Sequence, residues 1–355
     1  VFFENTQCLS CGHALAFLPD VADIGSLEPI DGGLWVSAAK LGRRKYRLCQ
    51  NYQGENVCNW AVPAGDEHPL CSSCRLTRVI PDLSNVANKE AWYRLEVAKR
   101  RLVYSLMALQ LPLLSRGDDP ERGLAFEFLA DTPEAEKLVL TGHANGVITI
   151  NIAEANDAKR EKRRLALGEP YRTLLGHFRH EVGHYYWDRL IAGSERLEAF
   201  REVFGDERAD YAAALKQHYE GGSPADWQNR FISAYASSHP WEDWAESWAH
   251  YLHMSDTLET AAATGLALKP RRRDEPALAT AGKPLTSFDD MIERWFPLTY
   301  VLNNLNRGLG LADGYPFVLS PEVVAKLRFI HETIAAVAAE PASTGKTSTA
   351  TLSVD

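Results

Sequence analysis

His180-Glu181-Val182-Gly183-His184, inside the helix-patterned stretch from Tyr171 to Leu190, is the segment on which the reading of this chain turns. Residues four apart on a helix lie one above the other, so His180 and His184 can present both imidazoles to one metal ion. Glu181 then stands beside that ion, placed to take a proton from a bound water. The same H-E-x-x-H pattern also arises as two histidines on a solvated helix face. Its meaning therefore depends on what the rest of the chain supplies.

A catalytic zinc takes three protein ligands and keeps one position open. A third histidine six residues after His184 would complete one such set, but Leu190 stands there. The other route is a carboxylate from a later helix. In Trp241-Glu242-Asp243-Trp244-Ala245-Glu246-Ser247-Trp248-Ala249-His250, the spacing puts Glu242, Glu246 and His250 on one face. Trp244, Trp248 and Tyr251 follow another stripe, as in a helix packed into a core. Carboxylates held near an interior are costly unless paired or metal-bound. The carboxylates of this helix, Glu242 and Glu246, are therefore the better candidates for the third ligand. A second acidic helix, expected over Phe204 to Asp210, offers Glu207 as an alternative ligand or Arg208 as a brace. His239, His250 and His253 are further alternatives. His177 reads as an outer or surface residue, and Arg179 and Asp188 as partners of neighbouring helices.

All six cysteines fall between Cys8 and Cys74 of a 355-residue chain. Cys49-x8-Cys58-x12-Cys71-x2-Cys74 supplies four thiolates, enough for one closed tetrahedral structural zinc. Cys8-Leu9-Ser10-Cys11 is a second, partial knuckle, and a set of Cys8, Cys11, Cys71 and Cys74 is the alternative pairing. Paired knuckles in a sizeable chain fit metal ligation in a reducing compartment better than a disulfide framework. The N-terminus also lacks the layout of a secretory signal, and the resulting expectation is cytoplasmic. The chain starts at Val1 rather than Met, as a truncated or processed product would.

Hydrophobic content of 45% and charged content of 24% are ordinary for a globular protein. Net charge is −9, and residues 1 to 81 hold seven Lys or Arg against eight Asp or Glu. Neither balance favours nucleic acid, despite the basic run Arg43-Arg44-Lys45-Tyr46-Arg47, which reads as a solvated strand edge or turn. No run of 18 apolar residues exists, so no membrane span is expected. Oligomeric state has no signature.

Residues 1–82 read as a small module held by metal rather than by a core. The boundary falls near 80 to 90, and residues 88–340 form the larger domain, followed by a disordered tail over 341–355. Trp92, Leu95, Leu102, Leu106 and Leu109 have amphipathic helical spacing from Asn88 to Leu111. Leu124 to Leu129, Leu138 to Thr141 and Val147 to Ile152 read as strands, the last two joined by the hairpin signal Asn145-Gly146. Helices dominate after Glu154. Gly168 and Pro170 read as a stop and a start, and Ser223-Pro224 and Ser320-Pro321 as further starts. Lys269 to Lys283 reads as a surface loop. The fold class is α+β, zincin-like: a small sheet with antiparallel pairing and a mainly helical remainder, behind a zinc-ribbon module. Val147 to Ile152 is the candidate edge strand for main-chain pairing with an extended substrate.

Two resemblances extend this reading. Glu242-x-x-Ala245-Glu246, with Tyr235 seven residues before Glu242, resembles the lethal-factor type of gluzincin. That resemblance implies zinc ligation by Glu242, bracing of a zinc-bound histidine by Glu246, and Tyr235 near the substrate oxyanion. Over residues 1 to 340 the chain resembles the zinc-binding metallopeptidases with an N-terminal zinc ribbon. Its most recognisable runs are Gly176 to Tyr186 and His239 to Glu246. The family name implies peptidase activity and gives no substrate; with Glu181 as the general base, the expected function is zinc-dependent hydrolysis of a peptide or protein, and the second resemblance implies an upstream C-x-x-C partner for Cys8 and Cys11. A catalytically silent zinc-binding scaffold and a nucleic-acid-associated, SprT-like protease with a histidine third ligand are the rival functions.

Overall fold

The N-terminal residues form an antiparallel sheet that curls on itself. Its strands are β1 (Ala14–Leu18), β2 (Asp23–Ile30), β3 (Leu34–Ser37), β4 (Lys45–Leu48) and β5 (Ala61–Pro63), in spatial order β1-β2-β3-β4-β5, with the short helix α1 (Gln50–Gln53) between β4 and β5. A bridge between Phe17 and Trp60 brings the first strand round to the last. The computed structural model describes residues 1–37, 44–131, 139–167, 172–278 and 287–339. Lys40, Arg43, Leu138, Gly168, Pro170, the end of the Lys269 to Lys283 loop and the tail over 341–355 lie outside them. The basic run is not a strand edge, because β4 is paired on both sides. Arg44 is neutralised by Asp20 at 2.8 Å.

A second sheet holds β6 (Thr77–Val79), β7 (Ala125–Leu129), β8 (Gly142–Ala144) and β9 (Val147–Asn151) in the order β6-β7-β9-β8. The β6–β7 and β7–β9 pairs are parallel, and β8–β9 is an antiparallel hairpin. Asn145 and Gly146 both have positive φ, 48° and 80°, which is the handedness a two-residue hairpin turn of this type requires. The expected edge strand is an interior one. Val147–Asn151 lies inside the sheet, with β7 on one side and β8 on the other, so β8 is the edge.

The helices are α2 (Val86–Ala108), α3 (Asp157–Leu167), α4 (Leu174–Leu190), α5 (Leu197–Phe204), α6 (Tyr211–Gly221), α7 (Pro240–Ala263), α8 (Phe288–Gly308) and α9 (Pro321–Ala339). α9 starts at the Pro expected, with the Ser320 hydroxyl accepting from the Val323 amide. Ser223-Pro224 is followed only by a single 3-10 turn at Trp227–Asn229. α2 joins the two sheets. Its Trp92, Leu95, Ala98, Leu102, Val103 and Leu106 belong to one apolar core with Phe17, Trp60 and the four cysteines on one side and Phe126, Phe128, Ile148 and Ile150 on the other. The N-terminal module is therefore not held by metal alone. Arg100 of α2 reaches back to donate to the Val57 carbonyl, and Lys99 pairs with Glu96 at 2.9 Å, both side chains fully buried.

α4 and α7 cross in close contact. A Cβ on Gly183 would sit 3.0 Å from the Ala245 Cα and 3.2 Å from the Trp248 Cβ, so any larger residue would force the facing helix to give by a few tenths of an ångström. Trp244 Nε1 donates to the Gly183 carbonyl at 2.9 Å, fixing the register of one helix on the other.

Candidate metal centre and its surroundings

α4 starts where the Thr173 hydroxyl accepts from the Gly176 amide, and α7 where His239 Nδ1 accepts from the Trp241 amide, with Pro240 behind it. These starts set the rotation of both helices. On α4, His180 and His184 face α7. On α7, Glu242 lies in the first turn and faces back.

The three side chains converge. His180 Nε2 and His184 Nε2 are 3.2 Å apart, and Glu242 Oε2 lies 3.0 Å from the first and 3.5 Å from the second. Tetrahedral zinc with bonds of about 2.0–2.1 Å spaces its ligand atoms about 3.3 Å apart, so this triangle fits one ion. Among the described residues Glu242 Oε2 has no hydrogen-bond partner, although it is buried and close to two ring nitrogens. All three residues are buried, at 8%, 4% and 1% exposure.

Neighbours tune the site. Glu246 Oε1 lies 2.7 Å from His180 Nδ1, and its other oxygen accepts from the Ser233 hydroxyl at 2.6 Å. A carboxylate at Nδ1 keeps the ring proton there, which leaves the Nε2 lone pair for a metal. Burial works against a charge on His180, yet Glu242 and Glu246 raise its pKa well above the ordinary histidine value. Burial likewise opposes ionisation of Glu242 and Glu246. The imidazoles nonetheless lower Glu242 well below the usual range, and His180 lowers Glu246 to about 2.

Glu181 is 6% exposed, and its carboxylate makes no hydrogen bond or ion pair among the described residues. Tyr235 packs its ring 6.0 Å from that of His180, and its hydroxyl is likewise uncommitted. Trp241 lies against the His184 ring at 3.9 Å. His143 of β8 stacks 6.4 Å from His184 and lies 4.0 Å from Asp188, so Asp188 turns to the edge strand rather than to a helix. Arg179 does pair with α7, through Asp256.

The other candidate ligands are engaged elsewhere. Residues 205–210 form a turn, not the expected helix. There Glu207 is held by Arg201, Arg208 by Asp206, and Asp210 caps α6. His239 caps α7, His250 meets the Tyr315 hydroxyl at 2.9 Å, and His253 meets Arg179 at 2.6 Å. His177 lies 3.6 Å from Glu154 and is partly exposed. Sequence reasoning missed Tyr211, whose hydroxyl donates to Glu242 Oε1 at 2.6 Å. No spacing rule links positions 211 and 242, so only the fold reveals the pair.

The second centre is the cysteine set. The sulfurs of Cys49, Cys58, Cys71 and Cys74 lie within 4.8 Å of one another, all buried. Cys58 and Cys71 are 3.8 Å apart, too long for a disulfide but close to the edge of a zinc–thiolate tetrahedron with bonds of about 2.3 Å. The amides of Trp60, Cys71 and Cys74 donate to sulfurs of the set at 3.3–3.4 Å, as suits thiolates. Cys8 and Cys11 stand outside it, the second of them exposed. No described helix is long and apolar enough to cross a membrane.

Residues 88–333 match a family model described as "Putative zinc-binding metallo-peptidase", and residues 1–85 match one described as a zinc-ribbon domain. Proteins of Mycobacterium bovis and Mycobacterium tuberculosis, each described as "Uncharacterized protein", are 47% identical over 348 residues, 97% of this chain and 96% of theirs. No solved structure matches the chain.

Proposed function

The chain belongs to the zinc-binding metallopeptidase family, with a His/His/Glu metal site of the gluzincin type, and we propose that it cleaves peptide bonds of a peptide or protein substrate with Glu181 as general base. The observation that carries this is the triangle of His180, His184 and Glu242 atoms at 3.0–3.5 Å, with an uncommitted buried carboxylate beside it. A zinc ion in that triangle supplies an open position, a Lewis acid and a water whose pKa falls to about 7 from 15.7.

The residues of the chain do the rest. Glu181 takes the proton of the attacking water and passes it to the leaving amine. Tyr235 donates its free hydroxyl to the carbonyl oxygen as negative charge develops there, an interaction whose loss costs about 2.7–4 kcal/mol in comparable sites. Glu246, steadied by Ser233, holds the His180 proton on Nδ1. The edge strand β8, beside α4, takes an extended substrate by main-chain pairing.

Residues 1–82 act as a structural zinc-ribbon module and 88–340 as the catalytic domain, in a cytoplasmic protein. The matches to two family models support that division. Cys8 and Cys11 provide half of a second structural site.

The test is the Glu181→Gln variant in a proteome-wide cleavage profile. The parent is expected to generate new peptide termini, and the variant to hold the same zinc and generate none. Equal cleavage by both would remove Glu181 from the mechanism, and absence of cleavage by both would favour a scaffold.

A further inference from the structure

We propose that Tyr211 is a positioning residue for Glu242, holding one carboxylate oxygen so that only the other faces the metal site. The inference rests on the assignment of His180, His184 and Glu242 as the catalytic metal centre. A carboxylate can approach a cation through one oxygen or both, and the second mode crowds the position that a water needs. Here the choice is already made. Glu242 Oε2 faces the two imidazoles, and Oε1 accepts a 2.6 Å hydrogen bond from the Tyr211 hydroxyl. A hydroxyl-to-carboxylate bond of that length is charge-assisted and among the stronger kinds.

The segment that presents Tyr211 is built for this contact rather than for the core. No residue of α6 is buried, so packing alone does not explain its place. Its start is fixed twice. The Asp210 side chain accepts from the Ala213 amide at 3.0 Å, and His239 Nε2 meets the Ala209 carbonyl at 3.1 Å. The same His239 ring accepts the Trp241 amide at Nδ1, so its proton sits on Nε2 and is donated to Ala209. One imidazole thus ties the turn before Tyr211 to the first turn of the helix that carries Glu242. The Tyr211 ring packs edge-on to His239 at 5.2 Å and to Trp241 at 5.8 Å, which fixes its direction. Two tyrosines therefore flank the site with different duties. The Tyr211 hydroxyl is committed to the ligand, and that of Tyr235 is left free for substrate.

Zinc affinity of the full chain, measured by competition with a chromophoric chelator, tests this without relying on turnover. Tyr211→Phe is expected to raise the dissociation constant of the catalytic zinc about 10–100-fold, the usual effect of losing an outer partner of a ligand. The cysteine-bound zinc and the control Tyr219→Phe, at a 63% exposed position, should be unchanged. In a Glu242→Ala background, Tyr211→Phe should change zinc affinity by less than about twofold, because no carboxylate remains to be held. An unchanged affinity in Tyr211→Phe, or an equal loss in the Glu242→Ala background, overturns the proposal and leaves the metal centre standing. A parent protein that takes zinc only at the four cysteines removes the metal centre and the proposal together.

Discussion

Replacing Gly183 with alanine probes the contact that brings the metal ligands together. At an open helical site, alanine in place of glycine stabilises by about 1 kcal/mol. Here the new methyl group would lie 3.0 Å from the Ala245 Cα, 3.2 Å from the Trp248 Cβ and 3.3 Å from the Ala245 carbonyl oxygen. Carbon atoms prefer about 3.5–4.0 Å, so the gap is short by about 0.5–1 Å. The nearest obstacle is backbone, which cannot rotate aside, so α4 and α7 must part. Overpacking of this size costs about 1–3 kcal/mol, which outweighs the helix preference and leaves a net loss of about 1 kcal/mol. The metal site should suffer more than the fold. Ala245 is three residues from Glu242, so the carboxylate moves with the helix, and its oxygen is already 3.5 Å from His184 Nε2. Zinc–ligand distances are held within about 0.2 Å, so a shift of a few tenths of an ångström should weaken the catalytic zinc by about tenfold. Urea unfolding of the zinc-loaded protein gives the first quantity and chelator competition the second. A variant about 1 kcal/mol more stable than the parent, with zinc binding intact, would mean that α4 and α7 do not meet this closely at position 183.

The remaining predictions concern the neighbours of the two centres. Glu246→Ala should weaken the catalytic zinc about 10–100-fold, because the 2.7 Å contact at His180 Nδ1 is lost; calorimetric titration of zinc into the metal-free protein would show it. The raised pKa of His180 means that zinc must displace a proton. Affinity should therefore climb about tenfold per pH unit below that raised value and level off above it. For the metal-free protein the sign runs the other way with pH. The stabilisation from the His180 proton is fully present below about 6.5 and is lost as pH rises through the raised value, visible as a falling urea midpoint. Cys71→Ser should lose the structural zinc, and because α2 shares its core with the cysteines, circular dichroism should report loss of structure beyond the N-terminal sheet.

Local spacing accounts for the parts of the fold and site that are legible in the sequence. The four-residue repeat of His180 and His184, the tryptophan stripe that turns Glu242 inward, the Cys71–Cys74 knuckle and the Asn145-Gly146 turn each carry their geometry with them. Sequence reasoning fails where a distant partner decides. The polar run around Asp206 has helical composition, but Arg201 draws Glu207 aside and Asp210 is used as a cap, so a turn results. Val147–Asn151 reads as an edge because an apolar strand does not say how many neighbours it has. The N-terminal module reads as too small for a core because its own cluster of Ala16, Leu18, Leu27, Tyr46 and Ala61 is small and the rest of its core is shared with α2, which lies beyond the boundary set by composition. Tyr211 is invisible for the same reason, since its partner is 31 positions away on another helix.

The central claim is that two histidines of α4 and one carboxylate of α7 hold a single zinc ion. Anomalous scattering from crystals of the zinc-loaded protein at the zinc edge tests it most directly. The expected map has one peak within the Cys49, Cys58, Cys71 and Cys74 set and another about 2.0–2.2 Å from His180 Nε2, His184 Nε2 and Glu242 Oε2. A peak at the histidines with Glu242 outside coordination range, or no peak there in a zinc-saturated crystal, would contradict it.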